Sequence, residues 1–113
     1  MNVRWIVAVG AGVALMAAAA DAQDKLAQGE KVYAAQKCSM CHSIAGKGNA
    51  KGPLDGVGDK LKADEIRQWL VNAEEMTVKT KAPRKPAMKS YGAKVSPEEM
   101  DALVAYMQSL KKK

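Results

Sequence analysis

Read as a string of apolar and polar positions, the chain divides into one long uncharged run and a series of short apolar stripes. The run comes first. Trp5 to Ala20 carries no charge, follows Arg4, and exits through Ala20-Asp21-Ala22 into Gln23. A short positive start, an apolar stretch and a small-x-small exit are the layout of a secretory signal peptide, predicted to span residues 1–22 and to be cleaved. The competing reading is an uncleaved anchor. Residues 5–20, rich in Ala and Gly, fall short of the ~20 that a spanning helix needs. No Cys follows the run, so nothing supports a lipoprotein anchor.

Beyond it the pattern predicts helices joined by long loops. Asp24 to Lys37 carries Leu26, Val32 and Tyr33 among good helix formers. Gly29 lies four positions before Tyr33, on the same face. A glycine inside a helix costs roughly 0.5–1 kcal/mol relative to alanine, a cost explained if a second helix crosses closely there. Residues 43–61 hold Gly46, Gly48, Gly52, Gly56, Gly58 and Pro53 and predict a loop. Ile66, Trp69 and Leu70 give a short helix over Asp64 to Asn72. Residues 77–95, with Pro83, Pro86 and Gly92, predict a second loop, rich in Lys and Arg.

The last helix has the strongest signal. Ser96 is its N-cap, Pro97 its first residue, and Glu99 completes a capping box. Met100, Leu103, Val104, Met107 and Leu110 form its apolar stripe, and Lys111 to Lys113 sit at the carbonyl end, where positive charge is favoured. There is no alternating strand pattern and no internal repeat. The predicted fold class is all-α.

Composition narrows the picture. The chain has 113 residues, with 18 basic and 12 acidic side chains. Without residues 1–22, which hold Arg4 and Asp21, 17 basic and 11 acidic side chains remain in 91 residues, and the net charge stays +6. One Trp, three Tyr and no Phe make a thin core for the single domain over 23–113. A domain this small often relies on a disulfide, a metal or a large cofactor. A multidomain enzyme, a collagen-like fibre, a disulfide-dense toxin and a multi-span membrane protein are all excluded.

The candidate chemistry is concentrated in Cys38-Ser39-Met40-Cys41-His42. Two Cys separated by two residues and followed at once by His form a haem-attachment signature. Both thiols lie within about one helical turn, so they can reach two vinyl groups along one porphyrin edge, and the next residue projects an imidazole toward the iron. A disulfide across so small a loop would constrain little. A thioredoxin-like pair wants a strand–helix setting that is missing. Zinc usually takes four ligands, and Cys38, Cys41 and His42 are the whole Cys and His supply.

His42 is the only His, so a second imidazole cannot fill the sixth iron position. Five Met remain after cleavage: Met40, Met76, Met88, Met100 and Met107. Met100 and Met107 belong to the last helix's stripe. Met40 lies inside the attachment loop, and Met76 follows Glu74-Glu75 at a helix end. Met88 sits in a loop stiffened by Pro86, where no stripe explains it. It is the favoured ligand; Met76 and an open position are the alternatives.

Cys38-Ser39-Met40-Cys41-His42-Ser43, then Gly52-Pro53-Leu54, then Pro86-Ala87-Met88, resembles the small class I cytochromes c of bacteria, over nearly all of 23–113. The resemblance implies three to five helices wrapped around one haem c, held by thioethers to Cys38 and Cys41. It implies His42 as proximal ligand, Met88 as distal ligand, and the Pro53 carbonyl as acceptor for His42 Nδ1–H. It also implies that Gly29 and Tyr33 cross Leu103 and Tyr106. Trp69 and Tyr91 read equally as propionate contacts or as core. The short stretch between the attachment site and Met88 departs from the pattern, suggests a trimmed form and leaves the propionate contacts unassigned.

The function expected is a soluble, monomeric, periplasmic one-electron carrier, not an enzyme. Its expected partners are redox proteins with acidic docking surfaces, such as an oxidase, a dehydrogenase or another cytochrome. Neither nucleic acid nor stable membrane insertion of the mature protein is expected. The alternatives are a dedicated haem subunit of a periplasmic dehydrogenase, or a haem enzyme or sensor with an open sixth site.

Overall fold

The computed structural model describes residues 21–112. The expected leader therefore lies outside the described residues except for 21 and 22, which are helical. The order is helix α1 (21–35), a 3-10 turn at Cys38–Met40, strands β1 (Ser43–Ile44) and β2 (Lys47–Gly48), and helices α2 (Val57–Lys60), α3 (Ala63–Val71), α4 (Ala73–Thr80) and α5 (Pro97–Ser109). None of the described helices is long and apolar enough to cross a membrane.

The all-α expectation holds, with local corrections. The first helix stops at 35 rather than Lys37, because Lys37 takes the left-handed conformation (φ 57°) and turns the chain into the 3-10 turn. The 43–61 loop contains an antiparallel ribbon pairing Ser43 with Gly48 and Ile44 with Lys47, and the single turn α2. Two-residue strands are too short to show a period of two, which is why no alternation announces them.

The predicted loop at 77–95 starts too early, since α4 runs on to Thr80. This helix is mostly polar, and Val78 is 78% exposed, so it has no stripe to read. Local chemistry supports it instead. Glu74 and Glu75 lie in its first turn and Lys79 in its last, matching the helix dipole. Thr77 and Thr80 donate to the Ala73 and Met76 carbonyls at 2.8 and 2.7 Å. Met76 thus stands inside α4 rather than at a frayed end.

The core is built on α5. Ile66 and Leu70 of α3 pack with Met100, Leu103, Val104 and Met107 of α5 and with Val32 and Tyr33 of α1. Gly29 permits the α1–α5 crossing: a Cβ there would overlap the Ala102 carbonyl oxygen and stand 2.6 Å from Tyr106 Cβ. Beside it the Tyr33 and Tyr106 rings meet edge to face, with centroids 6.0 Å apart. The contact expected at Leu103 and Tyr106 is therefore made by Ala102 and Tyr106 at Gly29.

The capping box of α5 forms as its sequence implies, with Glu99 N–H donating to Ser96 Oγ at 3.1 Å and Ser96 N–H to Glu99 Oε1 at 2.9 Å. Helix α2 closes against the far end of α5 through Gly58 N–H to the Leu110 carbonyl at 2.9 Å. Arg67 and Asp101 pair across α3 and α5 at 2.6 Å. Both are substantially exposed, so this pair contributes only about 0–1 kcal/mol.

Candidate functional site

The attachment signature forms one tight turn. The Cys38 carbonyl accepts from Cys41 N–H at 3.1 Å and from His42 N–H at 3.0 Å. Both thiols are therefore presented by one turn, and His42 leaves it directly. The thiols are free; Cys38 is half-buried against the core and Cys41 is exposed. Burial pushes the Cys38 thiol up to about 11.

Asn49 holds this turn in place. Its backbone N–H reaches the Ser39 carbonyl at 3.1 Å and the His42 carbonyl at 2.9 Å, and its side-chain amide donates to the Met40 carbonyl at 3.1 Å. Sequence reasoning missed this role, for which the available signal was an Asn inside a Gly-rich loop.

His42 Nδ1 lies 3.0 Å from the Gly52 carbonyl, and this corrects the expected acceptor, Pro53. The reason is local strand geometry. Ser43 bridges Pro53 in parallel, with Ser43 N–H donating to Gly52 O at 3.1 Å and Leu54 N–H to Ser43 O at 2.8 Å. Carbonyls alternate along an extended segment, so Gly52 faces residues 42–43 and Pro53 faces away. No Cβ fits at Gly52, which is wedged between the Cys41 carbonyl and the Arg84 guanidinium.

With Nδ1–H donating to a carbonyl, the lone pair sits on Nε2, the nitrogen left to bind a metal. Burial is the largest influence on the ring and lowers its pKa. The Gly52 bond opposes that, and the Arg84 charge adds to it. The imidazole is therefore neutral near pH 7.

The methionines separate by environment. Met100 and Met107 are 4% and 5% exposed in the core, whereas Met40 is 70% exposed. Met88 is half-buried and packs against the core's edge, as do Cys38 and Tyr91. Tyr91 is raised above its usual pKa mainly by burial and further by both cysteine thiols, which places it near the attachment turn. Trp69 is half-buried and outside that core.

These residues fit a haem. Two uncrosslinked thiols share a turn, and a neutral imidazole keeps Nε2 free. The Tyr33 hydroxyl, close enough to Cys38 to respond to its charge, is buried with no partner among the described residues, leaving polar capacity for a bound group. Among the described residues no three His, Cys, Asp or Glu side chains converge on a metal position. The donor set matches an iron that brings its own macrocycle.

Comparison with known proteins agrees. The cytochrome c family model matches residues 26–111. The chain is 28% identical over 93 residues to a cytochrome c oxidase subunit 2 of Alkalihalophilus pseudofirmus, a match covering 74% of this chain and 25% of that protein. The chain thus spans about a quarter of the length of that curated relative. No solved structure gives a significant match. A helical fold built on α5, a Cys-x-x-Cys-His turn with its imidazole fixed by a carbonyl, and a family match over most of the described residues lead to one conclusion: the chain belongs to the cytochrome c family, whose members carry covalently bound haem for electron transfer.

Proposed function

We propose that the chain is a periplasmic one-electron carrier with one haem c, attached at Cys38 and Cys41 and ligated by His42 and Met88. When bound, the haem supplies an Fe(III)/Fe(II) couple whose potential His/Met ligation raises relative to stronger donor pairs. The single observation that carries the reading is His42 Nδ1 held 3.0 Å from the Gly52 carbonyl, which leaves Nε2 as the nitrogen to bind iron. Gly52 fixes the tautomer, and Asn49 fixes the turn that bears both thiols. Pro86 restricts the backbone that presents Met88. Held by His42 and Met88, the haem would keep no position for a substrate and would supply electron transfer rather than catalysis.

Lys37, Lys47 and Lys51 flank the attachment turn, and Lys79, Lys81, Lys85 and Lys89 lie on either side of the Met88 loop; all are exposed. Such charge speeds brief encounters with an acidic redox partner without tight binding. Residues 1–22 direct export and are removed, leaving a soluble monomer in the periplasm.

Acid–acetone extraction followed by intact mass tests the attachment. The polypeptide from residue 23 should retain one haem, and the mass of the bare polypeptide would refute the proposal. The oxidase-subunit relative favours a second reading, a dedicated haem subunit of a larger redox complex. A dedicated subunit would stay with its complex during purification at high salt, whereas a free carrier would leave it.

A further inference from the structure

Ser90, two residues after Met88, caps a helix to which it does not belong. Helix α4 starts at Ala73, and the side chain of Asn72, its N-cap residue, makes no capping bond. Ala73 is 0% exposed, so its N–H cannot turn to water and needs a protein acceptor. It donates to Ser90 Oγ at 2.9 Å, across 17 residues of sequence.

The Ser90 hydroxyl in turn donates to Glu74 Oε2, and Ser90 N–H faces Glu74 Oε1 at 3.4 Å. That hydroxyl bond is the main influence holding Glu74 below the ordinary carboxylate range, so Glu74 is ionised and only accepts. The hydroxyl proton is thereby directed at Glu74, leaving an oxygen lone pair for Ala73 N–H. One residue on, Tyr91 N–H donates to the Leu70 carbonyl at 2.7 Å. Residues 90 and 91 are thus pinned to the junction of α3 and α4. By contrast, residues 83–89 make no backbone–backbone hydrogen bond among the described residues. Ser90 is the first fixed point downstream of Met88.

We propose that Ser90 and Glu74 form a latch that positions Met88, tying the methionine loop to the start of α4. The inference rests on the reading of Met88 as the sixth ligand. Opening the latch frees the loop, and a free loop competes less well against an external ligand for the iron. Ser90 and Glu74 are positioning residues, since each acts through the loop that carries Met88.

The test is the affinity of the ferric holoprotein for imidazole, with the thermal midpoint measured alongside. Loss of a cap predicts about a fivefold gain in imidazole affinity for Ser90→Ala and about two- to threefold for Glu74→Ala, because apparent affinity follows the population of the open loop. Ser90→Thr keeps the hydroxyl and should restore the wild-type affinity. The double variant should go no further than Ser90→Ala, because the two side chains act as one unit. Met88→Ala should gain affinity by itself, and adding Glu74→Ala to it should change nothing more.

Three outcomes overturn the latch. Wild-type affinity in both Ser90→Ala and Glu74→Ala, with a gain in Met88→Ala, removes the latch and keeps the ligand. Lowered thermal midpoints without a change in affinity mark a cap that is only structural. Unchanged affinity in Met88→Ala removes the ligand assignment and the latch with it. Glu74 is exposed, so its variant remains informative if Ser90→Ala does not hold its fold.

Discussion

Tyr33 shows how much one buried hydroxyl can reveal. Its ring is part of the core and its oxygen has no hydrogen-bond partner among the described residues. Burial, with smaller contributions from Cys38, Tyr106 and Asp55, pushes its pKa from 10.0 up to about 12. The folded state therefore holds the phenol proton more tightly than the unfolded chain. The associated stability is fully present below pH 10 and is lost as pH rises toward about 12. Burial, the leading cause, persists when Cys38 is an uncharged thioether, so denaturant unfolding of the holoprotein at pH 8 and pH 11 should still show a loss in this direction. Tyr33→Phe should diminish it, and an equal loss in both proteins would refute the assignment.

Residue identity was legible where chemistry demands it and poorly legible where geometry decides. Cys38, Cys41 and His42 stand out in the sequence because no other Cys or His exists to compete with them. The shift from Pro53 to Gly52 as the imidazole's acceptor depends on which carbonyl of an extended pair faces Ser43, and only the bridge register decides that. Asn49 was hidden for the same reason: its contacts are to backbone carbonyls, which the sequence does not label.

Among the elements, α5 carries its own boundary signals and α4 does not. Ser96, Pro97 and Glu99 announce the start of α5, and its stripe becomes the buried core face. Ser96→Ala should cost about 1 kcal/mol by loss of the cap. Helix α4 depends on a capping oxygen 17 residues away in sequence, a partner no local pattern can name. The α1–α5 crossing lies between these cases: Gly29 predicted a close approach, and the family resemblance named Tyr106 as a partner but not the Ala102 carbonyl. Gly29→Ala places a methyl group against the Ala102 carbonyl, which is rigid backbone within α5. The helices must move apart, a form of overpacking that should destabilise by about 1–3 kcal/mol, outweighing the gain in helix propensity. Chemical denaturation of the holoprotein measures both effects, and a stabilised Gly29→Ala would contradict the crossing.

For the whole molecule, charge and core size set the behaviour. Among the described residues Tyr33 is the core's one buried aromatic, with aliphatic side chains and methionines around it. A bound macrocycle would supply the missing apolar surface, and the apoprotein should therefore lose most of its helical circular dichroism. The basic side chains on the two loops should act chiefly on encounter rate. Electron transfer with an acidic partner should slow steeply as salt rises past 0.1 M, where the screening length is ~10 Å. Charge reversal at Lys85 or Lys89 should slow the bimolecular step more than reversal at Lys112, whose backbone N–H is bound to Asp59 at 2.7 Å beside α2. Equal effects at the three positions, or rates indifferent to salt, would remove the localised basic face and leave the haem site untouched.

The central proposal is a haem iron held between His42 and Met88, and the visible absorption spectrum tests it most directly. The reduced wild-type holoprotein should show a c-type α band, and the oxidised protein the weak red band that arises from sulfur-to-iron charge transfer. Met88→Ala should keep the α band's covalent-haem signature, lose the red band, lower the potential and bind external ligands. Met76→Ala, Met100→Ala and Met107→Ala should keep the red band. A red band that survives in Met88→Ala and disappears in Met76→Ala, or one absent from the wild type, would contradict the assignment of Met88.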